Sequence, residues 1–159
     1  MLKLTKKADY GLIAMRHLTT VYPRSASAKD ISDHYGLPGP VLAKILQTLG
    51  RGGFLASEHG ANGGYRLSRG PEQITAFDIV RAIDGPIFLT ACFTENGDCE
   101  HHKKCSIRDP LRRIHEGIIG LLNKMTMAEL ASDADSASNL SPLGLISSAN
   151  LTILNRHQL

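Results

Sequence analysis

Apolar residues recur every three or four positions in several stretches of the chain, a pattern that predicts amphipathic helices joined by short turns. The first stretch covers residues 4–21 and is ended by Pro23. The second begins after Ser27, which has Asp30 three positions later, a spacing typical of a helix capping box. Gly36 supplies a suitable end for that short helix. The N-terminal part of the chain is therefore predicted to be mainly α-helical.

A third helix is predicted from Pro40 to Arg51, because proline suits the first turn of a helix. One face is apolar, with Val41, Leu42, Ile45, Leu46 and Leu49, and the other carries Ala43, Lys44, Gln47, Thr48 and Arg51. Two helices joined by a short turn, the second with a basic and amide-bearing outer face, are typical of a helix-turn-helix. Its lysine and arginine can neutralise phosphates and its glutamine can reach base edges. The alternative is an ordinary solvated face.

A β-hairpin is predicted directly after this pair of helices. Residues 54–57 and 65–69 alternate as strands do, and the glycine-rich segment 58–64 joins them. These glycines do not have the spacing of a nucleotide-binding loop, so a phosphate cradle is not indicated. The predicted fold is mainly α with a small β-hairpin, a winged helix-turn-helix whose wing tip can enter a minor groove. We predict that it contacts DNA through Ser27, Lys29, Gly39, Pro40, Lys44, Gln47, Thr48, Arg51, His59 and Asn62.

Two further helices are predicted between the hairpin and Met125. One opens at a capping box from Thr75 to Asp78 and ends at Gly85. A longer one follows Asp109-Pro110 and carries an apolar stripe typical of a coiled-coil seam. We predict that this stripe forms a homodimer interface, although burial against the chain's own core is the alternative. The stripe consists of Leu111, Ile114, Ile118, Leu121 and Met125.

Four regions follow from these elements. We predict a DNA-binding domain over residues 1–85, a cysteine-containing loop over 86–109, and a dimerisation helix with a short last helix over 110–131. A capping pattern beginning at Thr126 opens that last helix. Residues 132–159 are rich in serine and lack a clear period, which favours a largely flexible tail. The length of 159 residues suits one domain with an extension.

Charge is distributed unevenly along the chain. Residues 1–69 carry ten Lys and Arg against four Asp and Glu, whereas residues 70–159 carry eight against eleven. A basic N-terminal half suits a polyanionic partner. No apolar run approaches the roughly 18 residues of a membrane helix, and the first residues lack the apolar region of a signal peptide. We therefore expect a cytoplasmic protein without a membrane partner.

The three cysteines of the chain, Cys92, Cys99 and Cys105, lie in one segment with gaps of six and five residues. Three cysteines cannot all pair in disulfides, and zinc sites usually have ligands two to four residues apart. Longer gaps favour an iron–sulfur cluster, for which thiolate is the usual ligand. A fourth ligand could come from Glu100, His101 or His102. Zinc, or three unrelated reduced thiols, remain the alternatives.

Three motifs together resemble the bacterial winged-helix iron–sulfur regulators that include IscR, NsrR and RirA. They are the opening segment 4–11 (LTKKADYG), the wing 60–67 (GANGGYRL) and the segment 74–86 (ITAFDIVRAIDGP). The resemblance covers about residues 1–131. It implies a homodimer that binds pseudo-palindromic double-stranded promoter DNA and senses iron–sulfur status, nitric oxide or redox state through a 2Fe–2S or 4Fe–4S cluster.

The resemblance also bears on the individual ligands. IscR places a histidine ligand three residues after its last cysteine, where this chain has Arg108. NsrR-like proteins carry an aspartate in the first helix at the position of Asp9, where it can reach the partner subunit's cluster. Asp9 from the partner subunit is therefore the first choice for the fourth ligand. IscR has polar residues at the positions of Pro40 and Ala43 and a basic residue at that of His59, so its operator preference does not carry over.

The function expected from these observations is that of a DNA-binding regulator controlled by its cluster, a repressor of iron–sulfur assembly genes of the SUF or ISC type. The alternative within this class is a nitric-oxide- or redox-sensing repressor of stress-defence genes. A small electron-transfer iron–sulfur protein is the alternative from another class. An enzyme is not expected, because no oxyanion motif or other catalytic signature accompanies the cysteines and histidines.

Overall fold

A computed structural model describes residues 4–60, 63–90, 93 and 104–132 of the chain. Within them the elements are α1 (Lys6–Val21), α2 (Ala28–Tyr35), α3 (Gly39–Arg51), β1 (Leu55–Glu58), β2 (Gly64–Leu67), a 3-10 turn (Pro71–Gln73), α4 (Ala76–Asp84), α5 (Arg108–Lys124) and α6 (Met127–Ser132). The mainly α fold with one antiparallel hairpin is confirmed. The predicted tail lies outside the described residues apart from Ser132.

The capping sequences set the helix starts as predicted at three places. Asp30 and Ser27 exchange hydrogen bonds between side chain and backbone at 3.2 and 3.1 Å. Thr75 and Asp78 do the same at 3.0 and 3.1 Å. Thr126 makes the equivalent pair of bonds with Glu129, and Gly36 ends α2 in the left-handed conformation. These contacts are local in sequence, so the sequence alone predicts them.

The hydrophobic core is formed by α1, α2, α3, α4, the hairpin and α6, which together we call the winged body. Helix α3 contributes Leu42, Ile45, Leu46 and Leu49 to it. Helix α6 also belongs to this core, because its Met127 is fully buried and the backbone of Met127 donates to the carbonyl oxygen of Ile74 at 2.8 Å. In α1, Arg16 Nε donates to the carbonyl oxygen of Leu130 at 3.2 Å. The last helix therefore returns to α1 after α5.

Several predicted boundaries are wrong by one or two residues. Helix α1 begins at Lys6 rather than Leu4, since the hydroxyl of Thr5 accepts the backbone N–H of Ala8 at 3.2 Å. Pro40 is the second residue of α3, not the first. Phe54 does not begin β1. Its backbone N–H donates to the carbonyl oxygen of Leu49 at 3.0 Å, so Phe54 caps the end of α3.

The remaining corrections concern the second strand and α5. Strand β2 covers 64–67 rather than 65–69, and it pairs Gly64 with Glu58. Helix α5 begins at Arg108, before the predicted Asp109. Met125 is extended rather than helical, and its carbonyl oxygen accepts the N–H of Ala76 at 2.8 Å. The helical part of the predicted apolar stripe therefore ends at Leu121.

Candidate nucleic-acid interface and cysteine loop

The outer face of α3 is open and basic. Lys44, Gln47 and Arg51 are exposed, and their side chains have no hydrogen-bond or ion-pair partner among the described residues. Thr48 is half-buried and its hydroxyl donates to the carbonyl oxygen of Lys44 at 3.0 Å, so its oxygen keeps only acceptor capacity. Pro40 is exposed at the start of this face. The arrangement leaves two cations and one amide available to a ligand.

Helix α3 and the hairpin enclose a shallow depression of about 260 Å³. It is lined by Gln47, Gly50, Arg51, Leu55, Ser57 and Tyr65. The predicted major-groove residues of α3 and the base of the wing therefore border one concave surface. We call it the wing-side depression.

The wing is fixed to the start of α2 by a contact that the sequence did not indicate. Ala26 and Tyr65 exchange backbone hydrogen bonds at 3.0 and 2.9 Å. A Cβ atom on Gly64 would lie 2.5 Å from the carbonyl oxygen of Ala26, so glycine is needed for this close approach. No local motif marks Ala26, because its partner lies 39 positions away. The bridge holds the wing and α2 in one rigid arrangement around α3.

The wing tip combines a glycine turn with an ion pair. His59 is exposed, and Gly60 has a φ of 128°, a conformation that residues with a side chain rarely adopt. Behind the tip, Arg66 Nε lies 2.8 Å from a carboxylate oxygen of Glu58. The predicted contact residue Asn62 lies outside the described residues. Among the described residues at the tip, His59 is therefore the side chain free to reach a groove.

The predicted contacts on α2 are already engaged in local bonds. Lys29 pairs with Asp33 at 2.7 Å, and hydrogen bonding followed by charge attraction from Asp33 raises the pKa of Lys29. Ser27 donates its hydroxyl to Asp30 at 2.7 Å. Hydrogen bonds from Ser27 in turn hold the pKa of Asp30 below its usual value. Because ion pairs on the surface are weak, Lys29 can exchange Asp33 for a phosphate at small cost.

The structure describes one of the predicted cysteine ligands and the predicted aspartate ligand. Cys105 is a half-buried free thiol three residues before α5. Asp9 is exposed in the first turn of α1, and its side chain has no partner among the described residues. Cys92, Cys99, Glu100, His101 and His102 lie outside the described residues. Free thiol and open carboxylate are donors that suit an iron–sulfur cluster.

No group of three His, Cys, Asp or Glu side chains close enough to hold a metal ion occurs among the described residues. Two of the three cysteines are not among those residues, and the proposed Asp9 ligand belongs to a second copy of the chain. Of the predicted ligands, the described part of the chain therefore contains only Cys105 and Asp9.

Two contacts connect the borders of the cysteine loop to the helices. Before the loop, the hydroxyl of Thr5 donates to Asp84 at 2.6 Å, which ties the start of α1 to the end of α4. Within it, the ring of Phe93 stacks on His115 of α5 with ring centres 5.4 Å apart. Neither pair has a signal in the sequence, because each joins residues distant in the chain. They place the end of α4 against α1, and Phe93 against α5.

Four of the five predicted dimer residues lie on α5, which has no buried residue, and the fifth, Met125, follows it. Ile114 and Leu121 are 53% and 43% exposed, and Leu111 and Ile118 are half-buried. Ile107, just before α5, is 58% exposed. Among the described residues, nothing buries the apolar stripe of α5 completely.

A ring cluster joins α1 to α2 away from this surface. His17 lies 5.5 Å from His34 and 5.6 Å from Tyr35 between ring centres. Burial and the neighbouring His34 lower the pKa of His17, while Asp30 opposes this weakly. The packing between the two helices therefore favours the neutral form of His17.

The comparisons with known proteins agree with this geometry. Residues 4–133 match the sequence model of the Rrf2 family, described as iron-dependent transcriptional regulators. The chain belongs to the Rrf2 family. Its relatives are transcriptional regulators rather than enzymes. No helix among the described residues is long and apolar enough to cross a membrane.

Individual Rrf2 proteins resemble the chain over most of its length. The regulator NsrR of Bacillus licheniformis is 28% identical over 136 residues, covering 84% of this chain and 95% of NsrR. The structure of CymR, the global cysteine regulator of B. subtilis, is 34% identical with a TM-score of 0.71, covering 83% of this chain and 98% of CymR. The structure of T. potens IscR is 29% identical with a TM-score of 0.68, covering 87% and 92%.

Proposed function

We propose that this Rrf2 protein is a homodimeric repressor that binds pseudo-palindromic promoter DNA under the control of an iron–sulfur cluster. The observation that carries the DNA-binding part is the open face of α3, where Lys44, Gln47 and Arg51 lack partners among the described residues beside the wing. In a winged helix, such a face lies in the major groove, where lysine and arginine contact phosphates and glutamine reads adenine. The target genes are those of iron–sulfur assembly.

Cys92, Cys99 and Cys105 are the proposed thiolate ligands, with Asp9 of the second copy as the fourth. The free thiol of Cys105 and the description of the family as iron-dependent support this assignment. Such a cluster supplies an iron centre that responds to redox state and nitric oxide. The similarity to NsrR leaves nitric-oxide defence genes as the second candidate target.

The contacts around the loop suggest how the ligands can act on DNA binding. Asp9 lies one turn after Thr5, and Thr5 is bonded to Asp84, the last residue of α4. If Asp9 ligates across the dimer, α1 of one copy is tied to the loop of the other. The separation of the two α3 helices is then fixed, and that separation must match the half-sites.

The experiment for this proposal is anaerobic purification followed by iron and sulfide analysis and by absorption and Mössbauer spectroscopy. We expect cluster bands that are lost in Cys99→Ala and altered in Asp9→Ala. Asp33→Ala is the matched control, since Asp33 is also an exposed aspartate on an N-terminal helix. Protein without iron or sulfide after anaerobic reconstitution would refute the cluster. Equal spectra for Asp9→Ala and wild type would refute the ligand from the partner.

A further inference from the structure

A second depression, of about 390 Å³, lies beside α3 on the side that faces α1 and α4. We call it the α1-side depression. It lies between α1, α3 and α4 and is lined by Lys7, Val41, Lys44, Ile45, Thr48 and Ile83. Val41 and Ile83, which the sequence pattern assigns to the buried faces of their helices, are only half-buried because they border it. Two lysines from different helices therefore share one apolar concavity.

The side chains around this depression leave both lysines available. Lys7 and Lys44 are exposed and have no carboxylate partner among the described residues. Asp84, the carboxylate at the end of α4, is occupied by Thr5. Lys29, in contrast, is paired with Asp33. Lysine stems cover apolar surface while the ammonium group stays in water, so a floor of Val41, Ile45 and Ile83 suits two lysines that present charge at the rim.

The position of the depression matches the shape of duplex DNA. A helix in the major groove, about 12 Å wide, runs between two phosphate strands. Lys44 and Arg51 lie seven residues apart on one face of α3; the wing-side depression borders one flank of this face, and the α1-side depression borders the other. If α3 acted alone, the phosphate strand beside the α1-side depression would meet only one cation, Lys44. Lys7 adds a second cation there from α1, outside the helix-turn-helix.

We propose that the α1-side depression is a phosphate-binding site for the DNA backbone, formed by Lys7 of α1 together with Lys44 of α3. The proposal rests on the proposed DNA binding and extends the interface to α1. Phosphate contacts position a protein without reading sequence. Lys7 therefore contributes to affinity for any duplex equally, whereas Gln47 contributes to the preference for one sequence.

The test compares Lys7→Gln with Lys6→Gln in the full-length chain. Both lysines are exposed in the first turn of α1 and both variants lose one charge, but only Lys7 lines the depression. Binding is measured by fluorescence anisotropy over a range of salt concentrations. The probes are a duplex selected from random sequences for binding to this protein and a scrambled duplex of the same length. Thermal unfolding followed by circular dichroism checks that both variants stay folded.

We expect Lys7→Gln to reduce the salt slope by about 0.9, equivalent to about fivefold weaker binding at 0.15 M salt, on both duplexes. Lys6→Gln should change either quantity much less. Equal losses in the two variants would show an effect of net charge alone and overturn the site, as would no loss in Lys7→Gln. If Lys44→Gln weakens binding and Lys7→Gln does not, α3 contacts the DNA but the proposed phosphate contact from α1 is refuted. If selection yields no duplex that the wild-type chain binds, the proposed function falls as well.

Discussion

The winged body and helix α5 both carry apolar stripes, but only those of the winged body are covered. Helix α3 buries four apolar side chains, whereas α5 buries none and leaves Ile114 and Leu121 about half exposed. The chain returns to the winged body after α5, because Met127 of α6 is buried in its core. This contrast supports the proposal that the apolar surface of α5 is where a second copy of the chain packs.

The largest difference is expected in stability. Leu46→Ala removes a fully buried side chain from α3 and should lower the free energy of unfolding by about 2–5 kcal/mol. Leu121→Ala removes the same atoms from an exposed position and should change the unfolding of the isolated subunit by well under 1 kcal/mol. Urea titrations of both variants at low protein concentration make this comparison. Similar losses would mean that α5 belongs to the core.

The next effect concerns association. Leu121→Glu should weaken dimerisation about a hundredfold or more, because each subunit loses an apolar contact of about 1.5–3 kcal/mol and a symmetric interface loses it twice. Asn123→Glu is the matched control, since it adds the same charge to an exposed residue of α5. Sedimentation equilibrium gives both dissociation constants. Unchanged association of Leu121→Glu would place the dimer contact elsewhere.

A smaller effect is expected at the helix starts of the winged body. Thr75→Ala removes the hydroxyl that accepts the N–H of Asp78 at 3.1 Å and should lower the free energy of unfolding by about 1 kcal/mol. Thr75→Ser keeps the acceptor and should lose much less. Thermal unfolding of the two variants measures the difference. Equal losses would show that the hydroxyl is not the source of the stability.

The smallest effects depend on pH. The pKa of His17 is lowered in the folded chain by burial and by His34, so the unfolded chain binds more protons. The resulting stability is complete above the unfolded pKa of about 6.5 and is lost as the pH falls through the lower folded pKa. Urea midpoints between pH 8 and pH 5, referenced to His17→Gln, test this. A midpoint that rises as the pH falls would contradict it.

Asp30 and Glu129 act in a lower pH range. Hydrogen bonds from Ser27 and from Thr126 lower the pKa values of these carboxyl groups. Their contributions are therefore present above the unfolded pKa values of about 4 and are lost as the pH falls through the lower folded values. Asp30→Asn should flatten the acid limb of the stability curve relative to wild type. An unchanged acid limb would exclude a contribution from the α2 cap.

Contacts between residues close in the sequence could be predicted from it, whereas contacts between residues far apart in the sequence could not. The capping pairs at Ser27, Thr75 and Thr126 lie within three residues, so their geometry is encoded in the neighbouring sequence. The bond between Thr5 and Asp84 joins residues 79 positions apart, and no periodicity reveals such a pair. Lys7 was missed for the same reason, because the surface it shares with Lys44 exists only once α1 packs beside α3.

The candidate site divides in the same way. The outer face of α3 follows from its helical period, and the structure leaves Lys44, Gln47 and Arg51 exposed as predicted. Thr48 and Lys29 were also predicted to contact DNA, but their side chains make bonds within their own helices. The spacing of the cysteines predicts a cluster, whereas the proposed fourth ligand, Asp9, would come from a second copy of the chain. Sequence spacing cannot supply that information.

The central claim is that the state of the cysteine loop controls the affinity of α3 and the wing for DNA. The most direct measurement is the affinity for one duplex, determined anaerobically for the reconstituted and the metal-free chain at the same salt concentration. We predict about a 5- to 150-fold difference, the usual range for coupling between two sites, and its loss in Cys105→Ala. Equal affinities of the two wild-type forms would contradict the account.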